Sequence, residues 1–291
     1  MINTPNRFHF GQAKIALEAD KHVYVERPIV CPDDDLELLI RLAKQEKRLL
    51  FTGVQRRLED TYRYLYEVVK NHYYFNRLSS IRCFLAAGMQ LQDWRRSLNL
   101  AGGGIVIDQG YHLLDAAAWI CSAAKVEISD HISGAVLFKR EMKSSESYPP
   151  EVETTAVGHI NLPKGVLLNF DLSYHAPIDS IYEHLEIRDD KGAKVTLTRD
   201  QSKRSTIPAT ITHQRSDGSL VEVKAFSNLK VKMDKIRFSG TANNTGPLRS
   251  FLQTIQGEFD LKKPSSCDAQ LSLNTWRLVR GIYRLAREEG T

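Results

Sequence analysis

Short β-rich runs alternate with amphipathic stretches in the first part of the chain. The predicted elements are, in order, a strand ending at Ile2, a turn at residues 4–6, a helix at 7–19, a strand at 22–25, a helix that follows the acidic run 33–35 and reaches residue 46, and a strand at 47–54. This order of strand, helix and strand predicts parallel βαβ units of a doubly wound, Rossmann-type sheet.

The remainder of the chain has a different pattern, in which consecutive β-rich runs are separated by turn residues. An amphipathic helix at 58–71 comes first, and two helices at 248–256 and 266–287 end the chain. The predicted strands between them lie at 80–86, 131–139, 154–162, 166–174, 182–188, 195–197 and 220–225. Turns such as Pro163-Lys164-Gly165 indicate hairpins, so we predict an α+β domain with a large, mostly antiparallel open sheet over residues 58–291, after an incomplete doubly wound domain over residues 1–57.

Composition and charge exclude several classes of protein. The 291 residues are 42% hydrophobic and 26% charged, which is ordinary for a globular protein, and the net charge of +5 comes from scattered Lys and Arg. We therefore expect neither nucleic-acid nor membrane partners. The four cysteines show no C-x-x-C spacing, so the sequence predicts no zinc site and no disulfide framework, and free thiols favour a cytoplasmic location.

The segment from Trp94 to Asp115 carries the densest candidate chemistry. The glycines at 102–104 permit close approach of another group to the backbone, and the apolar run after them has helical spacing. Within that predicted helix Asp108 and His112 are four residues apart and share one face, the spacing of a carboxylate that orients an imidazole for proton transfer. The alternative interpretation is structural: Asp108 favours the helix N-terminus and His112 is a half-buried histidine with satisfied hydrogen bonds.

Six motifs in order make the chain similar to one family. They are T-P-N-R-F-H at residues 4–9, A-L-E-A-D-K-H-V-Y-V-E-R-P at 16–28, Q-R-R at 55–57, W-R at 94–95, G-G-G-I-V-I-D-Q-G-Y-H-L-L-D at 102–115 and F-D-L-S-Y-H-A-P at 170–177. Together they resemble the glucose-fructose oxidoreductase, inositol dehydrogenase and MocA (Gfo/Idh/MocA) family of nicotinamide-dependent sugar and cyclitol oxidoreductases, over nearly the whole chain.

The resemblance implies a role for each motif. Residues 1–57 would be a remnant of the NAD(P)-binding Rossmann domain, and residues 58–291 the substrate and oligomerisation domain. His112 would be the general base, Asp108 would orient it or the substrate, and Arg27 would bind substrate. The implied cofactor-binding residues are Thr4, Pro5, Asn6, His9, Glu26, Gln55, Trp94 and Arg95, and those at the substrate rim are Tyr174 and His175.

Two departures from the family pattern matter. Arg27 stands where the family has lysine, and a guanidinium is too basic to shuttle a proton, although it can clamp a hydroxyl or a carboxylate. The sequence also contains no G-x-G-x-x-G turn to hold a pyrophosphate. We therefore expect the 291 residues alone to bind NAD or NADP weakly, and an upstream segment or a partner to cover the edge of the parallel sheet.

The sequence thus predicts reversible hydride transfer between NAD(P) and a secondary alcohol of a sugar or cyclitol. Two alternatives stay open: a non-catalytic sugar-binding or assembly protein derived from this family, and lyase or glycosidase chemistry with tightly held NAD. Apolar residues at outward positions of the strands predict a homo-oligomer formed through the open face of the sheet.

Overall fold

In the computed structural model the N-terminal residues form a small parallel sheet with two helices. The structure describes residues 1–129, 131–141, 150–201, 209–223, 245–256 and 267–288. Strands β1 (Val23–Val25) and β2 (Leu50–Thr52) pair in parallel, and Ile2 forms a parallel bridge with Val25. The parallel arrangement predicted for these runs is therefore confirmed, with strands shorter than the apolar runs that predicted them.

Two helices cover this sheet. A 3-10 turn (Asn6–Phe8) leads into α1 (His9–Glu18), and α2 (Leu36–Gln45) joins the two strands. Asp35 caps α2, because its carboxylate accepts a hydrogen bond from the Leu38 N–H at 2.9 Å.

The described residues of the second part of the chain form an eight-stranded sheet with the order β10-β9-β8-β7-β3-β6-β5-β4. Only β3 and β6 are parallel, and every other neighbouring pair is antiparallel. The strands are β3 (Leu78–Ala87), β4 (Ser133–Lys139), β5 (Thr155–Leu162), β6 (Val166–Ser173), β7 (Ile181–Asp189), β8 (Lys194–Gln201), β9 (Thr210–Gln214) and β10 (Leu220–Val221). Strand β9 was not predicted, and residues 224–225 of the strand predicted at 220–225 lie outside the described residues.

One face of this sheet carries the helices and the main core. Burial alternates along β5 and β6, so their inward residues pack under helices α3 (Asp60–Lys70), α5 (Tyr111–Ala123) and α7 (Leu273–Glu288) while the other face stays open. Helix α5 is buried on nearly all sides, as expected of an apolar helix enclosed between a sheet and two other helices. The short helix α4 (Leu98–Ala101) precedes it, and α6 (Thr245–Ile255) lies near the C-terminus.

The C-terminal residues return to the first sheet. The backbone N–H of Thr52 donates to the Cys267 carbonyl at 2.9 Å, and Trp276 of α7 is buried in the core formed by β1, α1 and α2. Helix α7 begins at Leu273, and Ala269–Ser272 form a 3-10 turn where the helix predicted at 266–287 was expected to have started already. None of the helices within the described residues is long and apolar enough to cross a membrane.

Candidate active site

The turn after the glycine triplet differs from the prediction. Residues 102–110 form successive turns, and α5 begins only at Tyr111, so Asp108 lies before the helix and His112 is inside it. Gly102 has φ of 75°, which glycine adopts without strain, and the Asp108 N–H donates to the Gly104 carbonyl at 3.0 Å. The prediction that Asp108 and His112 share one helix face was therefore wrong, because the glycine-rich backbone folds into turns where the apolar spacing alone indicated a helix.

Asp108 is instead the centre of a partly buried polar cluster. Nη1 of Arg27 donates to Oδ1 of Asp108 at 2.8 Å and to its backbone carbonyl at 2.6 Å. The Tyr174 hydroxyl donates to Oδ2 at 2.9 Å, and Nε2 of Gln109 is 3.4 Å from Oδ1. Arg27 thus reaches Asp108 from the turn at the carboxyl end of β1.

Tyr174 occupies a different position from the one predicted. Its side chain is 1% exposed and lies behind Asp108, whereas the sequence placed it on the substrate rim. Burial, with a further contribution from the Asp108 carboxylate, raises the pKa of Tyr174 well above its usual value, so the hydroxyl stays protonated and donates to Asp108. Tyr174 therefore holds the carboxylate that faces the site.

His112 is buried beside this cluster and makes no hydrogen bond to any described residue through its ring. Its predicted hydrogen-bonded pairing with Asp108 is therefore absent, since Arg27 and Tyr174 occupy the carboxylate. Burial lowers the pKa of His112 well below its usual value, and the positive charges of Arg27, Arg56 and Arg199 lower it further. The ring is neutral at physiological pH and can accept a proton.

A buried network of charges, largely missed by the sequence analysis, lies near His112. Arg56 contacts Glu59 at 2.6 Å and also contacts Glu183, while Arg199 contacts both of these glutamates. The Tyr62 hydroxyl donates to Glu183 at 2.9 Å. Charged residues at inward positions of otherwise apolar strands, here Glu183 and Arg199, are the signal that could have identified this network.

At the first turn, the side chains predicted to bind the cofactor form hydrogen bonds to other residues of the chain. Nδ2 of Asn6 donates to the Ala101 carbonyl at 2.9 Å, and the Thr4 hydroxyl donates to Oε1 of Gln12 at 2.8 Å. The two ring nitrogens of His9 lie 2.8 Å from the Pro28 carbonyl and 2.9 Å from the Thr4 carbonyl. Pro5 precedes the 3-10 turn. These side chains therefore shape the T-P-N and E-R-P turns, and His9 does not offer a free ring nitrogen to a ligand.

The other residues predicted to bind the cofactor or the substrate make separate contacts and do not form one cluster. Oε1 of Glu26 accepts from the Tyr24 hydroxyl at 3.0 Å, and Gln55 begins a 3-10 turn. The Arg95 guanidinium lies 4.6 Å from the centre of the Trp94 ring. His175 pairs with Glu141 at the surface, with 2.8 Å between Nε2 and Oε2, and does not join Asp108.

The residues present fit the nicotinamide end of a dinucleotide. The turns after Ile2 and β1 lie at the carboxyl ends of parallel strands, where doubly wound sheets bind nucleotides. The His112 ring, which has no hydrogen-bond partner in the part of the chain that the structure describes, lies near enough to Arg27 for its charge to lower the pKa of the imidazole. Glu26, Arg27 and the backbone of the T-P-N turn are the residues that would hold this end of the cofactor.

Comparison with known proteins identifies both parts of the chain. Residues 1–54 match the model of an oxidoreductase family with an NAD-binding Rossmann fold, and residues 68–195 match the GFO/IDH/MocA C-terminal domain. The chain is 24% identical to D-glucoside 3-dehydrogenase of Escherichia coli K12 over 295 aligned residues, covering 100% of this chain and 77% of that protein. It is also 24% identical to 1,5-anhydro-D-fructose reductase of Ensifer adhaerens over 171 residues, covering 58% of this chain and 48% of the reductase.

Solved structures share the fold at lower identity. Aldose-aldose oxidoreductase from Caulobacter crescentus superposes with a TM-score of 0.72 at 19% identity, over 99% of this chain and 76% of that one. The 3-ketoreductase KijD10 from Actinomadura kijaniata, crystallised with NADP, gives a TM-score of 0.69 at 15% identity, over 97% of this chain and 76% of the enzyme. The two family matches, the shared fold and the six motifs agree, and the chain belongs to the Gfo/Idh/MocA family of oxidoreductases.

Proposed function

We propose that this chain catalyses reversible oxidation of a secondary hydroxyl of a sugar or cyclitol, with NAD or NADP as the hydride acceptor. The observation that carries the proposal is the partly buried Arg27–Asp108 pair, held by buried Tyr174, beside a neutral His112 that has no described hydrogen-bond partner. A polar cluster of this kind has a high desolvation cost, and such clusters are typical of sites that bind polar substrates. The names of the two curated relatives, a glucoside dehydrogenase and an anhydrofructose reductase, support a sugar as the substrate.

Each side chain has a role that follows from its contacts. NAD or NADP, held by Glu26, Arg27 and the T-P-N turn, would supply the hydride acceptor, and oxidation of the substrate hydroxyl would also require a base for its proton. We assign this role to His112, because its ring is neutral and has no hydrogen-bond partner among the described residues. The carboxylate oxygens of Asp108 are held by Arg27 and Tyr174, so they can accept a hydrogen bond from a neighbouring substrate hydroxyl and fix the sugar ring.

A substrate series tests the proposal. The chain is incubated with NAD⁺ or NADP⁺ and a panel of methyl glycosides, free aldoses and inositols, and the absorbance of the reduced cofactor is recorded. We expect turnover of at least one glycoside, and none of its analogue deoxygenated at the oxidised carbon. Saturable sugar binding without reduction of either cofactor would instead favour a non-catalytic sugar-binding protein.

Arg27 provides a second prediction. Arg27→Lys keeps a cation beside Asp108, so we expect kcat/KM within about tenfold of wild type. Arg27→Leu leaves a partly buried carboxylate without its cation, and we expect a loss of roughly 10- to 100-fold in kcat/KM. Parallel steady-state assays of the two variants check this, and equal activity of the Leu variant and wild type would contradict it.

We also propose that the open sheet face forms a homodimer. Leu137 of β4 and Val157 of β5 are direct register partners, and both point outward with Phe84 of β3 and Leu167 of β6. An apolar patch of this kind on a sheet is usually covered by a protein partner.

Light scattering tests the dimer. We expect a dimer for wild type at micromolar concentration and a monomer for the double variant Leu137→Lys/Val157→Lys, because two charges would be buried in the interface. Ile15→Lys, which changes an exposed apolar residue on α1, is the matched control and should remain dimeric. A monomeric wild type would refute the proposal.

A further inference from the structure

A buried carboxylate outside the candidate site holds the turn that carries Asp108. Oε1 of Glu153 accepts hydrogen bonds from the Gly104 N–H at 2.8 Å, the Val106 N–H at 3.3 Å and the Tyr283 hydroxyl at 2.5 Å. The backbone carbonyl of Glu153 accepts a further bond from the Ile105 N–H at 3.0 Å. One residue thus binds three consecutive backbone N–H groups of the glycine turn.

The free-energy cost of burying the Glu153 carboxylate argues that its contacts with the glycine turn are not incidental. Glu153 is 4% exposed, and burial raises its pKa against the opposing effect of the hydrogen bonds it accepts. Its described hydrogen-bond donors are neutral groups. A carboxylate buried among neutral donors is costly to desolvate, and an apolar side chain at this position would avoid that cost.

The geometry of the turn explains what the carboxylate achieves. Gly104 lies so close to Glu153 that a Cβ on this glycine would overlap the Glu153 carbonyl oxygen. The Gly104 carbonyl in turn accepts the N–H groups of Ile107 at 3.2 Å and Asp108 at 3.0 Å. The peptide units flanking Gly104 therefore connect Glu153 directly to the backbone of Asp108.

The same segment also fixes the second contact of Asp108. The backbone N–H of Tyr174 donates to the carbonyl of Thr154, the residue after Glu153, at 3.0 Å. Tyr174 then donates its hydroxyl to Asp108. Both the backbone of Asp108 and the hydroxyl bound to its carboxylate are thus anchored on residues 153–154.

We propose that Glu153 is a positioning residue for Asp108, and that its bond to Tyr283 couples helix α7 to the active site. The inference rests on the proposed function for its catalytic consequence, but its structural part is independent of any activity. Without the Glu153 carboxylate the turn would be more mobile, and the Asp108 carboxylate would move away from Arg27 and Tyr174. Small displacements of a substrate-binding group lower kcat strongly.

Three variants separate positioning from general stability. Glu153→Gln keeps an oxygen that can accept all three bonds, whereas Glu153→Ala removes the acceptor. Asp189→Ala is the matched control, because Asp189 is a buried carboxylate that accepts the N–H groups of Asn76, Lys191 and Ala193 in a turn at the opposite end of the β3–β7 pair. Amide hydrogen exchange of residues 102–110 is measured by mass spectrometry for each folded variant, together with kcat and KM.

We expect exchange in residues 102–110 to be about tenfold faster or more in Glu153→Ala, and within about threefold of wild type in Glu153→Gln and Asp189→Ala. The kcat of Glu153→Ala should fall at least about tenfold, with rescue by Gln. Unchanged exchange in Glu153→Ala, or equal effects of Glu153→Ala and Asp189→Ala on residues 102–110, would overturn the inference. If wild type oxidises no sugar, the proposed function fails while the exchange result still decides the structural part.

Discussion

Replacement of His112 by Asn should lower kcat for sugar oxidation by roughly 10²- to 10⁴-fold, the usual contribution of a general base. Asparagine retains a polar side chain of similar size but cannot accept the hydroxyl proton at neutral pH. Because the ring makes no hydrogen bond to any described residue, the substitution removes the base without breaking a described hydrogen bond of the fold. Steady-state kinetics with the best substrate of the series measures the loss.

The pH profile distinguishes this role from a structural one. The pKa of His112 lies well below its ordinary value because of burial and the nearby guanidinium groups. The neutral form therefore predominates throughout the range above about pH 6.5, and the loss of rate caused by protonation of His112 should begin only below that value. This acidic limb should be absent from the residual rate of His112→Asn. A variant with wild-type kcat would contradict the assignment of His112 as the base.

Removal of the Asp115 carboxylate should reduce the free energy of unfolding by about 3–5 kcal/mol, the usual effect of removing one partner of a buried ion pair. Asp115 on α5 forms two hydrogen bonds with Arg57, at 2.9 and 2.6 Å, and both side chains are almost completely buried. Arg57 also lies 3.2 Å from the Leu271 carbonyl, and the Thr275 hydroxyl donates to Asp115 at 2.8 Å. The pair therefore links α5 to the C-terminal residues, and Asp115→Ala leaves a guanidinium buried without its counter-ion.

Denaturant unfolding of three variants tests this. Glu18→Ala breaks the exposed Lys14–Glu18 pair on α1 and should change stability by less than about 0.5 kcal/mol. The double variant Arg57→Met/Asp115→Leu replaces both charges by apolar groups and should recover much of the loss of Asp115→Ala. A change below about 1 kcal/mol in Asp115→Ala would mean that water reaches Arg57 and that the pair is not buried in solution.

Patterns formed by residues that are close in the sequence were sufficient to predict most of the fold. Alternating residues in β5 and β6 predicted both strands, and the acidic run before α2 predicted its cap at Asp35. The strand that precedes the E-R-P turn was also predicted, and Arg27 in that turn contacts Asp108. These predictions succeeded because periodicity, capping and strand direction are local properties.

The errors arose where distant residues determine the local structure. Asp108 lies in a glycine-rich turn whose Gly104 and Val106 N–H groups donate to Glu153, and nothing near Gly104 in the sequence indicates that carboxylate. Tyr283 is separated from Glu153 by 130 residues, so no periodic pattern in the sequence predicts the contact between them. His9 matched a motif implied to line the cofactor cleft, but its two ring nitrogens lie against backbone carbonyls, which only the folded chain shows.

Hydride transfer itself tests the central claim most directly. The chain is incubated with NAD⁺ or NADP⁺ and a sugar that carries deuterium on the oxidised carbon, and the reduced cofactor is isolated and its mass determined. Our account predicts one deuterium in the reduced nicotinamide ring, transferred without exchange with solvent, and a strongly reduced rate of its appearance with His112→Asn. Consumption of the sugar with no deuterium in the isolated cofactor would contradict it, because the reaction would then not release a hydride from that carbon to nicotinamide.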